Sequence, residues 1–166
     1  MDKLKKILVI LSAALFLAAC ESSVKLDEGV QQETTDSRTV STVSTGSTDP
    51  LNDPQGELAR RSIYFDFDSY VVKGEYQSIV QAHSRYLNKN KKRRILIQGN
   101  TDERGGREYN LALGQKRAEA VRKAMSLLGV SDSQMEAVSF GKEKPRALGS
   151  DEASWAENRR ADIVYQ

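Results

Sequence analysis

Asp102 and Arg117 are the two residues of this 166-residue chain whose types and setting best fit recognition chemistry. Asp102 stands in a charged turn, Asp102-Glu103-Arg104-Gly105-Gly106, between the apolar run Ile95-Leu96-Ile97 and a long helical pattern. Arg117 stands on that pattern, in a stripe of Leu113, Arg117, Ala120 and Ala124 where it is the only charge. A guanidinium among apolar and small neighbours needs a partner. Its fixed fork of donors matches a carboxylate at two points, whereas the Asp102 carboxylate accepts from an ammonium. The pair therefore suits a zwitterionic ligand, and the competing reading is a structural ion pair between the two. Catalytic chemistry lacks its parts. His83 is the only histidine and lies on an apolar helix face, which reads as a hydrogen-bonded packing residue. With one Cys, at position 20, no intramolecular disulfide and no Cys-His or Ser-His pair presents itself. Asp66 and Asp68, two apart on a strand, could form a glycosidase pair or a metal site with Asp102, but no third group or groove is marked. No metal or cofactor is expected.

The elements that must position these groups follow from periodicity. Ser62 to Phe67 alternates, with Ile63, Phe65 and Phe67 on one face, and reads as a strand. Val72, Tyr76, Ile79, Val80, His83, Tyr86 and Leu87 recur at helical spacing, and Asn88 to Asn90 ends that helix. A strand at 94–99 precedes the helix of Arg117, which starts near Arg107 and buries Leu111, Gly114, Ala118, Val121, Met125 and Leu128, with Gly129 as its stop. Strands near 136–140 and 161–165 complete the order βαβαββ. A short helix at 152–157 between them is expected to lay Trp155 against the core. The fold class is α/β (α+β): a sandwich of helices on a mixed, partly parallel sheet. Arg159 and Arg160, entering the last strand, read as internal ion-pair residues.

Two stretches carry a resemblance. Asn100-Thr101-Asp102, followed by Tyr109-Asn110-x-x-Leu113-x-x-x-Arg117-Ala118, resembles the peptidoglycan-binding signature of OmpA-like domains. Tyr64-Phe65-Asp66-Phe67-Asp68 upstream, with Ser139 to Pro145 and Glu157 to Ala161 downstream, sharpens it to the peptidoglycan-associated lipoproteins of that family, over about residues 58–166. The resemblance implies a protein that is not an enzyme, and a ligand in the diaminopimelate of the wall's stem peptide, whose free end carries an amine and a carboxylate on one carbon. Arg117 would then hold the carboxylate and Asp102 the ammonium, with Asp68, Arg104 and Leu113 completing the pocket. It further implies partners in the periplasmic Tol propeller protein and the inner-membrane Tol components. A wall-modifying hydrolase and a protein-interaction module without wall binding are the alternatives.

The start of the chain fits that setting. Lys3, Lys5 and Lys6 precede an apolar run from Ile7 to Leu17, an export signal too short to span a bilayer. It closes on Leu17-Ala18-Ala19-Cys20, which resembles the bacterial lipoprotein processing box. That implies a signal at 1–19, lipid on Cys20 with more than one acyl chain, and, because Glu21 is not the aspartate of inner-membrane retention, the periplasmic face of the outer membrane. Residues 21–57 hold eight acidic and two basic residues, and no aromatic occurs between Phe16 and Tyr64. With lipidated Cys20 they read as a disordered tether over 20–57, spanning roughly 35 Å as a coil and at most about 120 Å extended. Residues 58–166 hold fourteen acidic and twenty basic residues, and make one domain with one core. The basic run Lys89 to Arg94 lacks interleaved aromatics and follows an export signal, so nucleic acid is not an expected partner.

Overall fold

A computed structural model describes residues 49–166; the export signal, Cys20 and most of the expected tether lie outside the described residues. The elements are β1 (Ser62–Tyr64), α1 (Gln77–Lys89), β2 (Ile95–Asn100), α2 (Arg107–Leu127), β3 (Met135–Gly141), α3 (Glu152–Asn158) and β4 (Arg160–Tyr165), with 3-10 turns at Pro50–Asn52, Gly74–Tyr76 and Asp132–Gln134. This is the expected βαβαββ order with the short helix at its expected place. Periodicity could not supply the strand order, which is β1-β4-β2-β3. β2 runs parallel to β3 and antiparallel to β4, and β4 is antiparallel to β1, so the sheet is mixed.

The chemistry of β2 explains its central place. Ile95 and Ile97 are buried, opposite Tyr165 and Ile163 of β4 on one side and Met135 and Ala137 of β3 on the other. They join Ile63, Leu87, Val121 and Met125 in one core between the sheet and the two long helices. Helix α2 lies unusually close to the strands. A Cβ on Gly99 would fall 1.8 Å from the Gly114 carbonyl oxygen, and one on Gly114 would fall 2.3 Å from Ser139 Oγ, so both positions require glycine for the helix to touch the sheet. That contact holds Arg117, one turn further along α2, over the end of β2.

Four expectations are corrected. β1 ends at Tyr64 instead of Phe67, because the chain turns at once: Ser69 N donates to the Asp66 carbonyl and Asp68 takes φ +55°, a left-handed conformation that Asp tolerates better than most residues. Phe67 is consequently 62 % exposed, and Asp66 and Asp68 do not share a strand face. Leu111 is half exposed, since the face that α2 buries at that end runs through Asn110, Leu113, Gly114 and Arg117, and Leu128 is exposed at the other end. Trp155 is not in the core but lies at the surface beside Arg104. Finally, residues 49–57, expected to belong to the tether, make contacts with the domain. Asp49 accepts from Tyr86 Oη at 3.0 Å and pairs with Arg93 at 2.6 Å, Arg61 Nη2 donates to the Leu51 carbonyl, and Glu57 pairs with Arg85. Leu51 packs against Leu58, Ala82 and Tyr86, which supplies the apolar contact that composition alone did not reveal.

Candidate ligand pocket

At the C-terminal end of β2 the chain leaves the sheet into the turn 101–106 before α2 begins, and a cavity of about 220 Å³ opens there. It is lined by that turn (Thr101, Asp102, Arg104, Gly105), by α2 (Tyr109, Asn110, Leu113, Arg117) and by Phe67 and Asp68 from the turn after β1. All five residues expected at the site, Asp68, Asp102, Arg104, Leu113 and Arg117, thus come together around one cavity.

Their states differ. Arg117 is fully buried and is the largest such side chain in the domain. Its Nε donates to the Ser69 carbonyl at 2.8 Å, Nη1 to the Asn100 carbonyl at 2.9 Å and Nη2 to the Asp66 carbonyl at 3.1 Å. The guanidinium therefore ties the two site loops to α2, and two of its five N–H donors are not used in these bonds. Burial pushes its pKa down to about 10, which leaves it charged at neutral pH. Among the described residues no carboxylate lies within ion-pairing distance of it, so a direct ion pair between Asp102 and Arg117 does not form.

Asp102 is also buried and is held by two other arginines. Burial works to raise its pKa, but Arg104 more than offsets this, donating from its backbone N at 3.1 Å, Nε at 3.3 Å and Nη2 at 2.8 Å, and the carboxyl ends below its ordinary range. Arg159 Nη1 stands 3.5 Å from Asp102 Oδ2, while its Nη2 donates to Glu152 at 2.6 Å. Arg159 thus does the internal pairing expected of it, and Arg160 pairs with Asp162 at 2.8 Å. Asp68 stands exposed at the mouth, where Tyr109 Oη donates to it; that bond raises the tyrosine pKa. Asp66 turns away to Lys73 at 2.9 Å, so the three aspartates do not converge on a metal or on a glycosidic bond.

Sequence reasoning missed the groups that brace the pocket from behind its lining. The Arg104 guanidinium lies between two rings, 4.2 Å from the Phe67 centroid and 4.1 Å from that of Trp155. Asn110 Nδ2 donates to the Arg104 carbonyl at 2.8 Å, and Lys142 Nζ reaches the carbonyls of Glu103 and Gly105 from the far end of β3. Asn110 was visible as part of the signature, but nothing local in the sequence marks Trp155 or Lys142, which arrive from 37 or more residues away. His83 is buried elsewhere and saturated: one ring nitrogen faces Tyr165 Oη at 2.7 Å, the other the Arg60 carbonyl at 2.9 Å, and burial lowers its pKa.

Comparison with known proteins agrees with this geometry. The OmpA family model matches residues 64–159. The chain is 42 % identical over 165 residues to the peptidoglycan-associated lipoprotein of Pasteurella multocida, covering 99 % of this chain and all of that one. It is 49 % identical over 104 residues to that of Haemophilus influenzae, covering 63 % and 68 % of the two chains. The crystal structure of the peptidoglycan-associated lipoprotein from Burkholderia pseudomallei superposes with a TM-score of 0.71 at 73 % identity, over 71 % of this chain and all of that one. Because the matched stretch runs from the end of β1 through the whole of α3 and contains all five pocket residues, the chain belongs to the OmpA family and groups, within it, with the peptidoglycan-associated lipoproteins.

Proposed function

We propose that this chain is an outer-membrane lipoprotein that holds peptidoglycan non-covalently and so tethers the membrane to the wall. Lipid on Cys20 supplies one end of the tether and the pocket at the end of β2 the other. The ligand is the diaminopimelate of the stem peptide. Its carboxylate meets the arginine side of the pocket, Arg117 with Arg104, and its ammonium the aspartate side, Asp102 with Asp68; Leu113 packs on the chain between. In this reading the protein works within the Tol envelope system, with the periplasmic propeller protein and the inner-membrane Tol components as partners, and performs no covalent chemistry.

The observation that supports this most is Arg117. A fully buried guanidinium that carries charge, has only neutral carbonyls as hydrogen-bond partners beside the Phe65 ring, and lines an open cavity is a costly arrangement for a fold to keep. A ligand carboxylate at the cavity floor would supply the missing charge. The volume suits one amino-acid head group and little more. The engaged Asp102 also gives the pocket both signs within one turn, which disfavours simple anions and simple amines relative to a zwitterion. The test is sedimentation of the lipid-free mature chain with purified sacculi: the chain should co-sediment and be released by a soluble stem peptide carrying diaminopimelate. A chain left in the supernatant at micromolar concentration contradicts the proposal.

A further inference from the structure

Arg104 is more exposed than Arg117, yet it is held on several sides. Two rings hold the guanidinium, with the Phe67 centroid 4.2 Å and the Trp155 centroid 4.1 Å from its central carbon. Two of its nitrogens, Nε and Nη2, are spent on Asp102, and the Trp155 indole is itself fixed, with Nε1 donating to Glu103 at 3.0 Å. Phe67 is 62 % exposed, a large apolar side chain left in solvent by a turn that gives it no partner other than Arg104 among the described aromatic and cationic contacts. An arginine with a free stem samples many rotamers, and a ligand must freeze it on binding. Here two rings and a carboxylate hold the guanidinium before any ligand arrives, and Nη1 takes no part in the bonds to Asp102.

Resting on the pocket reading above, we infer that Phe67 and Trp155 are positioning residues: they form an aromatic clamp that holds Arg104 in its ligand-binding orientation, and through Trp155 the helix α3 sets the affinity of a site otherwise built by β2 and α2. Trp155 does not touch the ligand in this account; it acts only through Arg104. Cation–π contacts of partly exposed arginines are worth a factor of roughly three to thirty in an equilibrium. Trp155→Ala should therefore weaken binding of a diaminopimelate-ended stem peptide by about that factor, Phe67→Ala similarly, and Trp155→Tyr, which restores a ring, should recover most of the loss.

The test combines a double-mutant cycle with a spectroscopic readout on the full chain. Once Arg104 is replaced by Ala, adding Trp155→Ala should cost less than about twofold, because the group it acts through is gone. The Arg104 Nε–H resonance should be displaced by the two rings and protected from exchange in the wild type without ligand, and should lose both properties in Trp155→Ala and keep them in Trp155→Tyr. A wild-type chain that shows the restrained resonance but ignores the peptide sinks the wall-ligand reading. A wild-type chain that binds the peptide, while Trp155→Ala changes neither resonance nor affinity, sinks the clamp. So does a Trp155→Ala loss that persists undiminished in the Arg104→Ala background, since the ring would then act on the ligand or the fold directly.

Discussion

Two buried basic side chains stand at opposite ends of the domain and are treated in opposite ways. His83, on α1, spends both ring nitrogens on Tyr165 and Arg60 and is kept neutral by burial. At that end Gln134 Nε2 also gathers the carbonyls of Leu87, Asn90 and Arg93, although its Oε1 is buried without a partner, and Asp49 answers Tyr86 and Arg93. Arg117, on α2, is as deeply buried but charged, and its partners are three neutral carbonyls beside an open cavity. His83 has both its nitrogens answered within the protein; Arg117 meets no carboxylate at ion-pairing distance among the described residues, and the proposed ligand would bring one. Buried polarity alone therefore does not mark a site. What marks it is a buried charge whose compensation is missing and whose surroundings are hollow.

The sharpest way to break this comparison is to remove each side chain in turn. Arg117→Ala should abolish wall binding, by about 2–5 kcal/mol of lost affinity, and should also destabilise the fold by roughly 3 kcal/mol, because it strips three carbonyls of a charged donor. Denaturant unfolding alongside peptide titration checks both. Arg117→Lys should lose binding as well, since a point charge on a flexible stem cannot reproduce the fork. Asp102→Asn is the next largest effect: discrimination for the ligand ammonium should fall by tenfold or more, while Arg104 and Arg159 are left without their shared anion. This variant also has a pH signature. The depressed folded-state pKa of Asp102 means that its stabilisation is fully present above its ordinary value of 3.8 and is lost as pH falls through the lower folded value. Acid titration of stability below pH 4 should be shallower in Asp102→Asn than in the wild type.

His83→Gln addresses the opposite end. A histidine whose folded pKa is lowered stabilises the fold above its unfolded value of 6.5 and withdraws that contribution as pH falls through the folded value. Wild-type stability should fall on going from pH 7 to pH 5, the slope should vanish in His83→Gln, and peptide affinity at pH 7 should not change. A loss of affinity in that variant would erase the contrast between the two ends. Smallest of all, deleting residues 49–57 should lower the melting midpoint by roughly a few degrees without touching the pocket.

Much of the fold was legible because its signals are local. Ile95 and Ile97, the α2 face of Gly114, Ala118, Val121 and Met125, and Gly129 at its end, where φ is +86°, follow from period and cap. Asp102 and Arg117 were legible through one turn and one helix stripe, whereas Asp68, Arg104 and Leu113 came only from the family resemblance. What was not legible depends on long-range geometry. Phe67 fits strand alternation and leaves the strand because Asp68 turns the chain. Trp155 has the composition of a core residue and serves the pocket because β4 brings α3 beside the turn of Asp102. The segment from Asp49 to Glu57 has a tether's composition, yet Asp49, Leu51 and Glu57 find matching partners on α1 and the loop after it.

The central claim, that the uncompensated charge of Arg117 awaits a ligand carboxylate, is tested most directly by calorimetric titration of the chain with three stem peptides. One ends in diaminopimelate, one in its side-chain amide, and one in lysine, which lacks the second carboxylate. The account predicts that the first binds at least about tenfold more tightly than the other two, and that Arg117→Ala binds all three equally weakly. Equal binding of the three by the wild type, or discrimination that survives in Arg117→Ala, would contradict it.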